Sequence, residues 1–288
     1  NKVKTYDGSS WSAIQGSGTV EVVASGTIPN GATVIINTDG TVGIVTLVPS
    51  NTPTFGSAVV FESALSNHVS ATFDSTNNKV VVAYQDSPNS FNGTAIVGTV
   101  SGTSISFGTP VVFNSGTTSF ISATFDSSNN KVVVAYRNES NSDYGTAIVG
   151  TVSGTSISFG TAVVFESNNT NYIAPVFDSS NNKVVIAYQD DGNSAYGTAI
   201  VGTVSGTSIS FGSAVVFESA DTRNISATFD SSNNKVVIAY MDVGNSTYGT
   251  AIVGTVSGTS ISFGSAVVFN SSQTNYISVV DIGGGKVV

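Results

Sequence analysis

A repeat of 52 residues constrains the fold of this chain more than any other feature of its sequence. The segment GTAIVGTVSGTSISFG occurs four times without change, beginning at Gly93, Gly145, Gly197 and Gly249. A Phe-Gly pair followed by Val-Val-Phe recurs at the same spacing, from Phe55 to Phe263. Such regular repetition indicates that each copy forms one supersecondary unit and packs against its neighbours.

Each repeat is predicted to contain four short strands. The pattern is ISATFD, KVVVAY, GTAIVGTV and SISFGSAVVF, and Ser/Asn/Gly/Asp clusters separate the strands. Val, Ile, Thr, Phe and Tyr fill them, a composition typical of β-sheets. The second and third strands are almost continuously apolar, which predicts that both of their faces are covered.

Four strands in about 50 residues predict an all-β β-propeller. Four complete blades begin near Val69, Ile121, Ile173 and Ile225. Residues 43–61 supply the third and fourth strands of a further blade and residues 276–288 supply its first two. Pairing of these chain ends would close a five-bladed ring and remove exposed sheet edges. Residues 41–288 are therefore predicted to form the propeller, and residues 1–40 a leader or linker with short hairpins; a sixth, degenerate blade is the alternative.

Composition excludes several classes of function. The chain carries 9 Lys and Arg against 18 Asp and Glu, for a net charge of -9, so it lacks the basic surface that nucleic acids require. It has no Cys and one His, which removes thiolate chemistry and most histidine-based metal or acid/base sites. No apolar run is long enough for a transmembrane helix. We expect no cofactor, no metal, no catalytic residues, no nucleic-acid partner and no membrane insertion.

The turn between the first and second strands has an aspartate in each complete blade, followed by Ser and Asn. An aspartate in this position accepts backbone N–H groups in an Asx-turn. We predict this structural role over calcium binding, because the turn lacks an acidic ladder and each copy has a lysine beside it. The four aspartates, called the turn aspartates below, are Asp74, Asp126, Asp178 and Asp230.

The connections between the second and third strands lie at the opposite end of each blade and supply the first candidate ligand residues. Each has an Asp or Asn at its start, an Asn three residues later and an aromatic residue near its end. A polar group beside a ring can bind sugar hydroxyls while the ring covers an apolar sugar face; the alternative is that these residues shape the turn and pack on the next blade. The residues are Asp86, Asn89 and Phe91; Asn138, Asn141 and Tyr144; Asp190, Asn193 and Tyr196; and Asp242, Asn245 and Tyr248.

The segments between the fourth strand and the next blade vary most among the copies. We predict loops here, each ending at a residue that rings the mouth of a central channel. Mixed aromatic and polar residues in such a position favour contact with a ligand or partner, although drift at exposed positions is an equal alternative. The mouth positions are His68, Phe120, Tyr172, Asn224 and Tyr276, and the candidate ligand residues among them are His68, Phe120, Tyr172 and Tyr276.

The repeat resembles two kinds of known protein. The unit ISATFD-SSNNKVVVAY-GTAIVGTVSGTSISFG-VVF distantly resembles sialidase-like propellers with Asp-box repeats, but the turn TVSGTSISF lacks their Asp and Trp and the chain has two arginines where sialidases use three. The whole pattern, with YDGSSW and TVIINTDGTV before it, is more similar to repetitive tail-fibre and surface proteins of marine tailed phages and ocean metagenomes. This resemblance implies an extracellular or virion-surface location and receptor binding.

These observations favour a noncatalytic binding propeller, an adhesin or receptor-binding module that recognises a cell-surface glycan or protein through repeated, lectin-like sites. Several weak sites on one rigid body raise affinity for a multivalent target by about 100-fold. A purely structural fibre or surface-layer domain is the second hypothesis, with a fibre stalk or homo-oligomer formed through residues 1–40. A glycoside hydrolase-like enzyme is the third, because the acids are turn-forming or scattered.

Overall fold

The computed structural model describes residues 4–6, 11–13, 24, 26–28, 34–36, 41–44 and 55–288. The chain divides into two compact units, Asn1–Phe55 and Gly56–Val288. The second unit contains all the complete repeats and is called the repeat region below. This boundary lies 15 residues after the end of the predicted leader at residue 40.

Among the described residues of the first unit there are two short antiparallel pairs. Strand β1 (Lys4–Tyr6) pairs with β2 (Trp11–Ala13), and β3 (Val34–Ile36) pairs with β4 (Val42–Ile44). The strand predicted at residues 43–48 for the last blade lies mostly outside the described residues.

The repeat region is all-β and antiparallel, apart from three short 3-10 turns. A repeat contains four strands, as predicted, but the fourth covers only Ser-Ile-Ser-Phe, and the Val-Val-Phe predicted to end it begins the next long strand. In chain order the strands are β5 (Ser66–Asp74), β6 (Lys79–Asp86), β7 (Asn92–Ser101), β8 (Ser104–Phe107), β9 (Val111–Asp126), β10 (Lys131–Asn138), β11 (Tyr144–Ser153), β12 (Ser156–Phe159), β13 (Val163–Asp178), β14 (Lys183–Asp190), β15 (Tyr196–Ser205), β16 (Ser208–Phe211), β17 (Val215–Asp230), β18 (Lys235–Asp242), β19 (Tyr248–Ser257), β20 (Ser260–Phe263) and β21 (Val267–Gln273).

The third and fourth strands of each repeat form a tight hairpin. In the first repeat Ser101 pairs with Ser104 across a two-residue turn, and Gly102 occupies its first central position with φ +58°. A left-handed first residue is the geometry of a type II′ turn, which glycine adopts without steric cost. The repeated Ser-Gly-Thr-Ser sequence therefore sets the register of this hairpin in every copy.

Three long strands, β9, β13 and β17, each belong to two sheets. The first part of β9 pairs with β7, from Val111 to Thr117, and its second part pairs with β10, from Thr118 to Asp126. The predicted loops between the fourth strand and the next repeat are therefore wrong for these copies, because the chain stays in strand conformation throughout. Polar Ser, Asn and Thr side chains suggested loops, but the backbone of these residues is paired along both sheets.

A separate apolar core lies between each pair of successive sheets. Between the first two repeats, Val81, Val97 and Phe113 pack against Val134 and Tyr136 of the next sheet. The same arrangement recurs between the second and third and between the third and fourth repeats. The second strand is buried on both faces, as its continuous apolar sequence predicted, because it lies between two neighbouring sheets.

The array of sheets is not closed. Within residues 55–288, β5 forms a registered ladder with β6 and β21 forms one with β19, but no registered ladder joins β5 to β21. After β21 the chain forms a small hairpin, in which Val280 and Val288 exchange backbone hydrogen bonds of 2.9 and 3.0 Å. The two segments predicted as the first strands of the last blade therefore lie side by side, but they form one isolated bridge, between Asp281 and Val287, and no strands.

One end of every sheet, called the turn end, carries the turn aspartates. In the second repeat Asp126 Oδ1 accepts hydrogen bonds from the backbone N–H groups of Ser128 and Asn129, at 3.0 Å each, and Oδ2 accepts one from the Asn129 amide. The predicted Asx-turn is confirmed. Each turn also contacts the next, as Ser128 Oγ donates to Asn182 Oδ1.

Candidate functional site

Both sets of candidate ligand residues lie at the other end of the sheets, called the loop end. In the third repeat Thr170 pairs with Asp190, and Asp190 pairs with Tyr196, so the long strand and the connection between second and third strands meet there. The connection also bonds back to the long strand of the following repeat, since Thr222 N–H donates to the carbonyl oxygen of Ala195 at 3.0 Å.

The connections themselves are compact turns. Three of them contain single 3-10 turns, Glu139–Asn141, Asp191–Asn193 and Val243–Asn245. Asp190 Oδ1 and Asp242 Oδ1 accept hydrogen bonds from the backbone N–H of Asn193 and Asn245, at 3.2 and 3.0 Å. These buried carboxylates therefore shape the turn, which was the structural alternative for them.

Other members of this set differ in exposure. Asn89, Asn141, Asn193 and Asn245 are exposed, and Tyr144, Tyr196 and Tyr248 are half-buried. In the first connection Phe91 has a left-handed backbone, with φ 59°, and is 46% exposed. Asn138 is half-buried and makes no cap hydrogen bond to its turn. The exposed amides and the partly exposed rings are the groups that a ligand could reach.

The mouth positions share one unusual backbone conformation. His68, Phe120, Tyr172, Asn224 and Tyr276 all have φ between 48° and 54°. For the first four, the strand register shifts at this point, as between Asn67 and Ser70. Within a β-bulge, a residue with a left-handed backbone does not follow the alternation of side chains between the two faces of the sheet.

Aromatic side chains at these positions form a row across neighbouring repeats. The His68 and Phe120 rings lie 5.5 Å apart between centroids, and Phe120 and Tyr172 lie 5.4 Å apart. His68 is exposed, Phe120 and Tyr172 are half-buried, and Tyr276 is 95% exposed. Partial burial and the nearby Arg137 guanidinium lower the pKa of His68. The row presents two aromatic rings and one imidazole at the loop end.

Arg137 joins this row to a polar network that sequence analysis missed. Its guanidinium carbon lies 4.9 Å from the centroid of the Phe120 ring. It donates to Asn171 Oδ1 at 2.6 Å and to Glu139 Oε1 at 2.7 Å. Asn171 donates in turn to Gln189, which donates to Asp221 of the next repeat at 2.8 Å. Since arginine occupies this position in one repeat only, no local pattern marked it as an interaction site.

Paired carboxylates form a second feature that no sequence motif revealed. In the third repeat, Tyr188 Oη donates to Glu166 Oε2 at 3.1 Å, and burial and the Glu166 carboxylate raise the pKa of Asp190. The first and fourth repeats carry the same Glu and Asp. In the second repeat both are asparagine, and Asn114 and Asn138 donate to each other at 3.4 Å.

These carboxylate pairs predict a stability that falls as pH rises. The pKa values of Asp190 and Glu218 are raised by burial in the folded chain, so the protonated forms favour folding and this contribution is lost above the raised pKa. The double variant Glu166→Gln/Asp190→Asn, which copies the second repeat, should melt about 2 °C higher than the unchanged protein at pH 7. The difference should vanish near pH 4. Thermal unfolding followed by circular dichroism from pH 4 to 8 measures it, and a constant difference would contradict the idea.

The described ranges contain no group of three His, Cys, Asp or Glu side chains that could hold a metal ion. No helix within the described residues is long and apolar enough to cross a membrane.

Comparison with known proteins gives a distant structural likeness. No family model matches the chain, and no sequence among the curated proteins matches it. Among solved structures, AofleA from Arthrobotrys oligospora is similar with a TM-score of 0.49 and 13% sequence identity. The match covers 76% of this chain and 63% of the AofleA chain.

Proposed function

We propose that this protein is a noncatalytic binding module that recognises a surface glycan through the loop end of its repeats. The observation that carries the proposal is the contrast between the two ends. The turn end is nearly identical in each repeat and its polar groups bond to one another. The loop end varies, and four of its five left-handed mouth positions hold an aromatic or imidazole ring.

Backbone strain strengthens this contrast. A left-handed backbone costs roughly 1 kcal/mol for most residues and least for Gly or Asn. Asn224 shows that a cheaper residue suits the same position. The rings in the other copies therefore need a favourable contribution that outweighs this backbone strain. Contact with a ligand would provide it.

The proposal includes closure of the repeats into a five-bladed propeller. Two observations within the repeat region support it. Ser226 Oγ accepts a hydrogen bond from Val279 N–H, repeating the bond from Ala123 N–H to Ser70 Oγ between earlier repeats. At the other end of this region, Phe61 packs on Tyr84 with a centroid distance of 5.3 Å, close to the Phe113–Tyr136 distance. Joined, the two ends would supply complementary parts of one blade.

A glycan array that includes bacterial surface polysaccharides tests the function. We expect specific binding, and at least tenfold weaker binding by the triple variant Tyr144→Ala/Tyr196→Ala/Tyr248→Ala, because rings supply the apolar contact to sugars. A matched variant with Ser75→Ala, Ser127→Ala and Ser179→Ala changes exposed residues of the turn end and should bind normally. Circular dichroism confirms that both variants fold.

Two outcomes would contradict the proposal. Equal binding by both triple variants would move the site away from the loop end. A silent array with a folded protein would favour a protein receptor or a structural fibre or surface-layer domain. The structural fibre domain has an observation in its favour, because the Arg137 network links neighbouring repeats and would stiffen a fibre. The virion or cell-surface location is part of the same proposal.

A further inference from the structure

Charge is distributed very unevenly between the two ends of the repeat region. Between Glu62 and Asp242, every carboxylate other than the four turn aspartates lies at the loop end; this gives ten carboxylates against two guanidinium groups. The five lysines of the repeat region all lie at the turn end, beside the turn aspartates and Asp281. The loop end is therefore strongly negative, and the turn end is close to neutral.

The two arginines of the loop end are already neutralised. Arg137 is 2.7 Å from Glu139 and 3.6 Å from Asp143, and Arg223 is 2.6 Å from Asp221. Both guanidinium groups are thus already paired with carboxylates of the chain itself. An anionic ligand would also meet the remaining carboxylates, and like charges repel over roughly 10 Å at moderate salt.

One carboxylate of this surface lacks a partner. Asp86 is 9% exposed, and its Oδ1 atom is buried without a hydrogen bond. Strand register places Asp86 on the same face as Tyr84 and Thr94. The Tyr84 hydroxyl donates to Glu62 at 3.4 Å, and the buried Thr94 Oγ1 also has no hydrogen-bond partner. A buried carboxylate without a donor is costly, so this site calls for a hydrogen-bond donor that carries positive charge.

The neighbouring rings are able to hold a cation. Arg137 lies over the Phe120 ring within the chain itself, in the geometry of a cation–π contact. His68, Tyr172 and Tyr276 occupy the corresponding positions in other repeats without a guanidinium above them. A carboxylate accepts a charge-assisted hydrogen bond from an ammonium group and a ring face adds a cation–π contact, so the two together favour an ammonium ligand.

We propose that the ligand of the loop end is a cationic saccharide, a glycan whose amino sugars carry free, protonated amines. This inference rests on the proposed function and narrows it to one chemical class. Each amine would donate to the half-buried glutamate of a carboxylate pair, such as Glu62 with the buried Asp86 behind it, and the adjoining sugar face would lie on a ring of the row. The second repeat, with amides in place of both carboxylates, would contribute least.

Calorimetric titration with two matched oligosaccharides tests the ligand class. The first is a β-1,4-linked glucosamine hexamer at pH 6, and the second is the same hexamer with every amine acetylated and thus neutral. We expect at least tenfold tighter binding of the amine form, the effect of a charge-assisted hydrogen bond of about 1.4 kcal/mol or more. Raising NaCl from 50 to 500 mM should remove most of that preference.

Substitutions in the carboxylate pairs test where the amine hexamer binds. Glu166→Gln/Asp190→Asn should weaken binding of the amine hexamer several-fold, and the reverse change in the second repeat, Asn114→Glu/Asn138→Asp, should strengthen it. The control is Ser127→Lys/Ser179→Lys, which adds the same positive charge at the turn end and should leave affinity nearly unchanged. Equal weakening by the control would show general attraction to a negative protein and overturn the site.

The outcomes separate this inference from the proposed function. Equal or tighter binding of the acetylated hexamer would overturn the amine preference while the binding module stands. Binding of a lysine-rich peptide but of neither hexamer would replace the saccharide by a basic protein. A Ca²⁺-dependent rise in melting temperature without binding of the amine hexamer would assign the carboxylates to a metal ion. If neither hexamer binds and the glycan array is silent, the proposed function fails as well.

Discussion

Replacement of Phe217 by alanine should lower the free energy of unfolding by about 4 kcal/mol. Phe217 is 8% exposed and lies in the core between the third and fourth repeats, 5.2 Å from the Tyr240 ring and 5.7 Å from the Phe263 ring. Alanine would leave a cavity between two rigid sheets that cannot close over it. Urea titration followed by circular dichroism measures the change.

The last repeat provides a matched control for this substitution. Phe269 occupies the same place in the repeat but is 54% exposed. Phe269→Ala should therefore cost less than about 1 kcal/mol, since most of its surface is already in water. Equal costs for the two variants would mean that another part of the chain covers Phe269 in solution.

Replacement of Gly212 by alanine should cost about 3 kcal/mol and lower the melting temperature by about 10 °C. A Cβ atom built on Gly212 would lie 1.9 Å from the carbonyl oxygen of Thr259 in the next repeat. That oxygen belongs to the backbone of a hairpin, so the sheets must move apart to relieve the overlap. Thermal unfolding followed by circular dichroism measures the loss.

Gly264 gives the comparison that isolates this contact. It follows the same Ser-Ile-Ser-Phe sequence, but the nearest atom to its added Cβ is the Val253 carbonyl oxygen at 3.8 Å. Gly264→Ala should leave the melting temperature within about 2 °C of the unchanged protein, or raise it slightly by stiffening the unfolded chain. A loss similar to that of Gly212→Ala would place the cause within the strand instead of between repeats.

The repeat and its apolar runs were sufficient to predict the sheets, but not the conformation of the chain segments that join one sheet to the next. Val132, Val133 and Val134 are all fully buried, as three successive apolar residues in a doubly covered strand should be. The Ser/Asn/Thr segment around Thr118 was predicted as a loop because its side chains are polar. Its strand conformation depends on backbone pairing to two sheets, which side-chain polarity does not report.

Residues of the candidate site were predictable where the interaction is local. The turn aspartates hold N–H groups two and three residues ahead, and this spacing is visible in the sequence. The contact of Tyr188 with Glu166 joins residues 22 positions apart in neighbouring sheets. Arg137 reaches Asn171 in the next repeat, 34 positions away. Such contacts depend on how two sheets face each other, which the sequence of one repeat cannot specify.

The strands shared between sheets determine where this protein can lengthen during evolution. A 52-residue duplication whose ends fall inside β13 must rejoin two half-strands in register, and it would succeed only with breakpoints at equivalent positions. A duplication with both ends in the exposed turns after Asp126 and Asp178 inserts one full period and leaves every ladder intact. Recombination between copies should therefore leave its traces in the Ser-Ser-Asn-Asn turns, while the loop end diversifies by point substitution.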